Sequence, residues 1–313
     1  MDVIRTVAGI REACDRAREQ GRAVGFVPTM GALHEGHASL IRRAREERDA
    51  VVVSIFVNPL QFAPHEDYAR YPRDEEGDLA TCDRLGVDLV FAPSVEEMYP
   101  GGEPVVTVDP GPIGERLEGA SRPGHFRGVA TVVAKLFHAV GPCAAYFGEK
   151  DAQQLFLVRR MVRDLAFPVE VVGCPTVREP DGVALSSRNR YLSPAEREAA
   201  GCLFLALSEA AELARRGERD AAVLVAAMAR EIWATEGVRL DYAAVVDEAT
   251  FEEVREIRGP ARALVAAWVA AGTTEEITTP VISVENERPA EPRNPAKKSA
   301  SSSGVRSATV AIR

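Results

Sequence analysis

Cysteine is scarce and unpatterned in this chain. Its five residues (Cys14, Cys82, Cys143, Cys174 and Cys202) are odd in number and widely spaced, with no C-x-x-C among them. That weighs against a disulfide framework and a zinc cluster and fits reduced thiols. No stretch approaches about 18 consecutive apolar residues, which excludes a conventional membrane-spanning helix. Positive charge is also short. Thirty-eight basic residues stand against 47 acidic ones, a formal net charge of −9, so the bulk field repels nucleic acid, although a local basic patch can still hold a small anion. The opening MDVIRTVAGIREACDRAREQG lacks the basic-then-apolar layout of a secretory signal and reads as an amphipathic helix. The expected location is the cytoplasm, with no membrane and no nucleic-acid partner.

What is present is ordinary globular composition, 46% hydrophobic and 27% charged over 313 residues, enough for about two domains. The first 175 residues alternate short apolar, β-branched runs with helical patterns. Strands are expected at Ala23–Pro28, Ala50–Phe56, Asp88–Ala92, Val105–Val108, Ala144–Phe147 and Val169–Gly173. Helices are expected at Gly36–Arg48, Glu75–Leu85, Gly128–Val140 and Asp151–Leu165. Strands without internal alternation, separated by helices, predict a parallel sheet covered on both faces. Such sheets bind ligands beyond the carboxyl ends of their strands, which directs attention to the loop after each one. From 176 to 284 the texture is that of a smaller α+β unit. Ser193-Pro194 opens its first helix, which is followed by a second at Asp220–Thr235, a strand at Leu240–Val246, a short helix near Phe251–Arg255 and an apolar segment at Ala261–Ala271. Residues 285–313, rich in Pro, Ser, Ala and charge, read as a disordered tail. No repeat is visible at periods of about 20 to 50 residues.

Five segments can carry chemistry. VPTMGALHEGHASLIRRAR places His34 and His37 about a helix N-terminus directly after an apolar strand. A helix N-terminus seats phosphate, and imidazoles beside it can donate to oxygens that gain charge; a polar loop junction or a metal pair are the plainer readings. VSIFVNPLQFAPHEDYARYPRDEEGDLATC offers Gln61, with donor and acceptor groups suited to a hydroxylated substrate. It also offers the acids Asp74, Glu75, Glu76 and Asp78 near a helix start, where first-turn preference explains most of them and one can hold magnesium. RPGHFRGVATVVAKLFHAV carries Arg122, His125 and Arg127 in a turn; His138 lies inside the helix as a structural residue, and His125 can be either. AAYFGEKDAQQLFLVRRMV repeats the strand–glycine turn–helix context with Lys150 and Asp151 at the helix start and Gln153 and Gln154 in its first turn. ALSSRNRYLS supplies Ser186, Ser187 and Arg188, either a mobile flap over a triphosphate or a solvated linker.

Taken in order, PTMGALHEGH, FVNPLQF, RPGHFRGV, YFGEKDAQQL and LSSRNRYLS resemble the pantothenate synthetase (pantoate–β-alanine ligase) family of the nucleotidylyltransferase superfamily, over roughly residues 1–265. The resemblance implies a Rossmann-like, doubly wound α/β domain over 1–175 and a smaller C-terminal α+β lid domain over 176–284 carrying the SSRNR flap. It implies a cytoplasmic homodimer formed through the larger domain. The implied reaction condenses (R)-pantoate with β-alanine through a pantoyl adenylate, consuming ATP as its magnesium complex and releasing pyrophosphate and AMP. Carried over residue by residue, Met30, Gln61 and Gln154 line the pantoate site. Met30, His34, His37, Gly148, Lys150, Asp151, Ser186, Ser187 and Arg188 contact ATP. His37, His34, Lys150 and Arg188 are the catalytic set, and Asp78 is the magnesium contact, with Gly77 standing where the family often has an acid. After about Ala271 the stretch GTTEEITTPVISVENERP departs from the family pattern. A different nucleotidylyltransferase acting on a small acid or a phosphorylated alcohol is the alternative enzyme, and a nucleotide sensor without turnover is the alternative outside catalysis. Gln61 with Gln154 argues against the first and the paired histidines against the second.

Overall fold

The computed structural model describes residues 1–64, 66–269 and, for the backbone, 278–284. Its elements follow in chain order: β1 (Asp2–Ile4), α1 (Val7–Glu19), β2 (Val24–Thr29), α2 (Glu35–Glu47), β3 (Ala50–Ile55), α3 (Glu75–Arg84), β4 (Leu89–Phe91), α4 (Val95–Met98), α5 (Glu118–Ser121), α6 (His125–Val140), β5 (Cys143–Gly148), α7 (Ala152–Asp164), β6 (Val169–Cys174), α8 (Pro194–Ala199), α9 (Cys202–Arg215), α10 (Ala221–Trp233), β7 (Val238–Asp247), β8 (Ala261–Val269) and β9 (Thr278–Val284).

The first six strands form one sheet in the order β1-β4-β3-β2-β5-β6, with every pairing parallel. Alternate residues of the central strands feed two separate apolar clusters. Val24, Phe26, Ala50, Val52, Ala145 and Phe147 pack with Ile10 of α1, Phe137 of α6 and Leu155 of α7. Val27, Val51, Val53, Ala144 and Tyr146 pack with Ile41 of α2 and Cys82 of α3. Since successive strand side chains point to opposite faces, helices cover both faces and the sheet is doubly wound. The chain runs outward from β2 through β3 to β4, then returns to lay β5 on the other side of β2. The β2–β5 crevice is therefore the topological switch point, where open α/β sheets receive ligands.

Two expected elements of the larger unit differ. Val105–Val108 forms no strand; Val105 and Val106 are exposed, and Val108 N–H donates to a side chain, Thr131 Oγ1 at 3.0 Å, instead of to a neighbouring strand. The place beside β4 is taken by Asp2–Ile4, in register with Leu89–Phe91. The amphipathic helix expected at the chain start accordingly begins at Val7, capped by Thr6 Oγ1 accepting from Gly9 N–H.

The chain divides into two compact units, Met1–Ser193 and Pro194–Arg313, and not at residue 175. The SSRNR segment belongs with the larger unit for a physical reason: Ser187 Oγ donates to Ala32 O at 3.0 Å, and Leu185 N–H donates to Val177 O. In the smaller unit β7, β8 and β9 form an antiparallel sheet, with α9 and α10 burying Leu203, Leu207, Leu224 and Met228. The short helix expected near Phe251 is a turn. Asp247 Oδ1 accepts from Ala249 and Thr250 N–H, and Phe251 has φ 57°, outside the right-handed helical region. The tail expected at 285–313 lies outside the described residues, as does most of the departure after Ala271. Among the described residues no helix is long and apolar enough to cross a membrane.

Candidate active site

The loop after β2 is shaped by backbone constraints before any ligand enters. Gly31 and Ala32 both sit at positive φ, 81° and 50°. A Cβ on Gly31 would lie 2.7 Å from Asp78 Oδ2, so glycine is required twice over, for conformation and for space. Asp78, buried on α3, accepts Ala32 N–H at 2.8 Å on one oxygen and Leu33 N–H at 2.7 Å on the other.

That arrangement bears on the magnesium contact expected at Asp78. Both oxygens already bind backbone N–H groups. Of the neighbouring acids, Asp74 caps α3 by accepting Gly77 N–H, Glu75 pairs with Arg5, and Gly77 has no side chain. Among the described residues no group of three or more His, Cys, Asp or Glu side chains could hold a metal. These residues make Asp78 a loop anchor, so its two oxygens are engaged with the backbone before any metal arrives. Burial pushes the Asp78 carboxyl up, while the two N–H donors pull the other way.

His34 is the N-cap of α2. Its Nδ1 accepts Gly36 N–H at 3.1 Å, and His37 Nδ1 accepts His34 N–H at 3.3 Å, closing a reciprocal capping box made by two imidazoles. A neutral ring that accepts through Nδ1 carries its proton on Nε2, so each histidine offers an Nε2–H donor. The ring centroids are 4.1 Å apart. Burial, then Lys150 and Arg190, lowers His34 to about 4. Burial, then His34 and Lys150, lowers His37 to about 3. Both rings are neutral donors at neutral pH. Gly36 is the residue that lets His34 fold back, because a Cβ there would lie 2.8 Å from its Cε1.

The remaining segments meet at this pair and beside it. Lys150 follows β5 and pairs with Asp151 at 3.4 Å. A Cβ on Gly148 would meet nothing within 4 Å, so the end of β5 faces open space. Gln61 ends a 3-10 turn after β3; its Nε2 donates to Met30 Sδ at 3.0 Å and its Oε1 accepts from Asn58 Nδ2 at 3.1 Å. Of the two glutamines on α7, Gln153 is buried and donates to Ile113 O and Arg116 O, a structural clasp. Gln154, one residue on, is half-buried, and its side chain makes no hydrogen bond among the described residues. Ser186 Oγ caps the 187–191 turn by accepting Arg188 N–H. Ser187 gives its hydroxyl hydrogen to Ala32 O, which anchors the turn to the histidine loop. Arg188 pairs with Asp67 through two hydrogen bonds. Arg190, in the same turn, is among the charges that depress His34, and its side chain makes no hydrogen bond or ion pair among the described residues.

His125, left open by the sequence, is a structural ring. Its Nδ1 donates to Gln61 O at 2.8 Å and its Nε2 faces Arg122 Nη1 at 3.3 Å; burial, then Arg122, holds its pKa well below the ordinary value. Arg122 also donates to Gln61 O, Glu66 and Glu118, so a buried charged network fixes the backbone of Gln61. Asn58 and Arg190 are the residues that the sequence reading passed over. Both lie inside quoted motifs, Asn58 three residues before Gln61 and Arg190 two after Arg188.

The family profile described as pantoate-beta-alanine ligase matches residues 2–278. A pantothenate synthetase of Moorella thermoacetica is 51% identical over 286 residues, 91% of this chain and 100% of that protein. One of Rubrobacter xylanophilus is 56% identical over 274 residues, covering 85% of this chain and 94% of that one. The crystal structure of pantothenate synthetase from Thermus thermophilus superposes with a TM-score of 0.83 at 52% identity, covering 91% of this chain and 99% of the other. A pantoate-beta-alanine ligase from Francisella tularensis, complexed with beta-gamma ATP and beta-alanine, superposes at 0.71 with 33% identity, over 90% and 97% of the two chains.

Proposed function

The chain belongs to the pantoate–β-alanine ligase family, and we propose that the groups gathered at the ends of β2 and β5 carry its chemistry. The protein is an ATP-dependent ligase that joins pantoate to β-alanine. In the first step a pantoate carboxylate oxygen bonds to the α-phosphorus of ATP and pyrophosphate leaves with the broken P–O bond. In the second, the β-alanine amine, having lost a proton, attacks the carbonyl of the pantoyl adenylate. AMP leaves and the amide remains.

The observation that carries this reading is the convergence on His34 and His37, two neutral Nε2–H donors at a helix N-terminus facing the Lys150 ammonium from the next loop of the switch point. Donors of that kind stabilise charge that develops on phosphoryl oxygens without themselves giving up a proton. His37, the more deeply buried, faces the α-phosphate; His34, Lys150, Ser186 and Arg188 hold the outer phosphates. Gly148 and Asp151 lie against the adenosine. Met30, Gln61 and Gln154 hold pantoate, with Gln61 fixed from behind by Asn58 and the Arg122 network. A magnesium ion carried by ATP would neutralise part of the triphosphate charge, beside the phosphate contacts of His34, Lys150, Ser186 and Arg188, while Asp78 holds the loop.

The enzyme is assigned to the cytoplasm, which its free thiols support, because reducing compartments keep cysteines unpaired. It is assigned as a homodimer through the larger unit, supported by the exposed Val105 and Val106.

Mixing protein, Mg-ATP, pantoate and β-alanine, and following pyrophosphate and AMP with each acid omitted in turn, tests the order of steps. Pyrophosphate in a single turnover should require pantoate but not β-alanine, and AMP should require both. Pyrophosphate released with β-alanine alone would overturn the scheme.

A further inference from the structure

Arg188 is gripped by its own chain along one edge. Its Nε donates to Asp67 Oδ2 at 2.9 Å and its Nη2 to Asp67 Oδ1 at 2.8 Å, with both side chains 15% exposed. Its guanidinium carbon lies 5.7 Å from the Phe62 ring centroid and 5.6 Å from that of Tyr71. The loop and the turn are joined twice more: Tyr191 OH donates to Arg70 O at 3.0 Å, and Tyr71 hydrogen-bonds the Ser187 side chain.

A guanidinium has five N–H groups in a rigid plane. Pairing along the Nε–Nη2 edge fixes that plane and uses two of them. Nη1 makes no hydrogen bond among the described residues. We propose that Asp67 is the positioning residue of Arg188, gripping its Nε–Nη2 edge so that the Nη1 edge is the one presented to a phosphate oxygen of ATP. This rests on the assignment of Arg188 to the phosphates given above. The opposite role, in which Asp67 competes with phosphate for Arg188, would require breaking two charge-assisted bonds at a largely buried site and leaving two aromatic faces. Burial pushes the Asp67 carboxyl up, but the hydrogen bonds and charge of Arg188, with smaller help from its own backbone and Arg122, together keep the carboxyl below its ordinary range, so the grip is ionic at neutral pH.

The test is a double-mutant cycle read as single-turnover pyrophosphate release and as KM for each substrate. Asp67→Asn keeps the size of the side chain and removes its charge. It should slow pyrophosphate release by about tenfold, the scale of losing charged hydrogen bonds, with the KM for pantoate unchanged. In an Arg188→Ala background the same substitution should add nothing. Phe62→Leu, which removes one ring and no charge, should give a smaller loss that also vanishes in that background. Factors that multiply in the double variants would overturn the proposal. So would an Asp67→Asn enzyme that binds ATP more tightly and turns over faster, because Asp67 would then be a competitor. If Arg188→Ala alone releases pyrophosphate at the parent rate, the phosphate assignment itself fails, a result visible without any Asp67 variant.

Discussion

Two imidazoles that cap a helix for one another are limited in what they can do chemically. With each Nδ1 taken by a backbone N–H, only Nε2–H remains for a ligand, and burial holds both rings neutral. His37→Ala should therefore cut pyrophosphate formation by about 10²- to 10³-fold, the scale of losing one oxyanion donor, and shift the ATP Kd far less. Stopped-flow release with calorimetric ATP binding checks both; an equal loss in the two would make His37 a ground-state binder. The same burial sets a pH dependence. The folded values, about 4 and about 3, lie below the unfolded value of about 6.5, so the unfolded chain binds more protons in between. The stability these rings contribute is complete above about pH 6.5 and is lost as pH falls toward 4 for His34 and 3 for His37. Melting temperatures of the parent should fall over that window more steeply than those of His37→Gln; parallel curves would contradict the burial argument. The histidines, Lys150 and Gln61 stand out in the sequence because each sits in a compact strand–loop–helix motif, whereas Met30 follows only from the resemblance. The roles of Asp78, Ser187 and Asp67 do not stand out, because their partners lie 46, 155 and 121 residues away, and no local pattern encodes such a contact.

Elements position this site through close approaches between backbones. Gly128 on α6 lies against the 3-10 turn that carries Gln61, and a Cβ there would come within 2.2 Å of Leu60 O and 2.7 Å of Gln61 N. Those are backbone atoms that no rotamer change can move. Gly128→Ala should destabilise the fold by about 1–3 kcal/mol, the range for overpacking, and raise the KM for pantoate more than that for ATP. Denaturant midpoints with both KM values decide it, and an unchanged pantoate KM would detach Gln61 from that substrate. Asp78 gives the complementary test on the other side of the loop. Asp78→Asn leaves one acceptor for two buried N–H groups and should cost about 1–3 kcal/mol while the magnesium concentration for half-maximal activity stays the same. A large rise in that concentration would restore Asp78 as a metal contact. At this scale the sequence was readable where apolar runs were long. β2, β3, β5 and β6 and their helices fall within a few residues of expectation, since continuous Val-rich runs between helices have few other solutions. β1 was missed because a three-residue strand carries no period, and its place beside β4 is set by pairing rather than by composition.

Within the whole molecule, Val105–Val108 is where sequence preference and the single chain disagree. The run PVVTVDP is β-branched and bounded by prolines, yet Val105 and Val106 are 101% and 85% exposed. An exposed β-branched run has a strand preference that another strand can satisfy, and the same run on a second copy is one that a two-fold axis can supply. The run is also connected to the site. Val108 N–H donates to Thr131 Oγ1 on α6, the helix whose Gly128 packs on the Gln61 turn, so a partner that orders the run also braces that turn. Sedimentation equilibrium should give twice the chain mass for the parent. Val105→Lys combined with Val106→Lys, which changes only exposed side chains, should give a monomer with an unchanged circular dichroism spectrum and a raised KM for pantoate. A parent that sediments as a monomer, or a variant that remains a dimer, would remove this run from the interface.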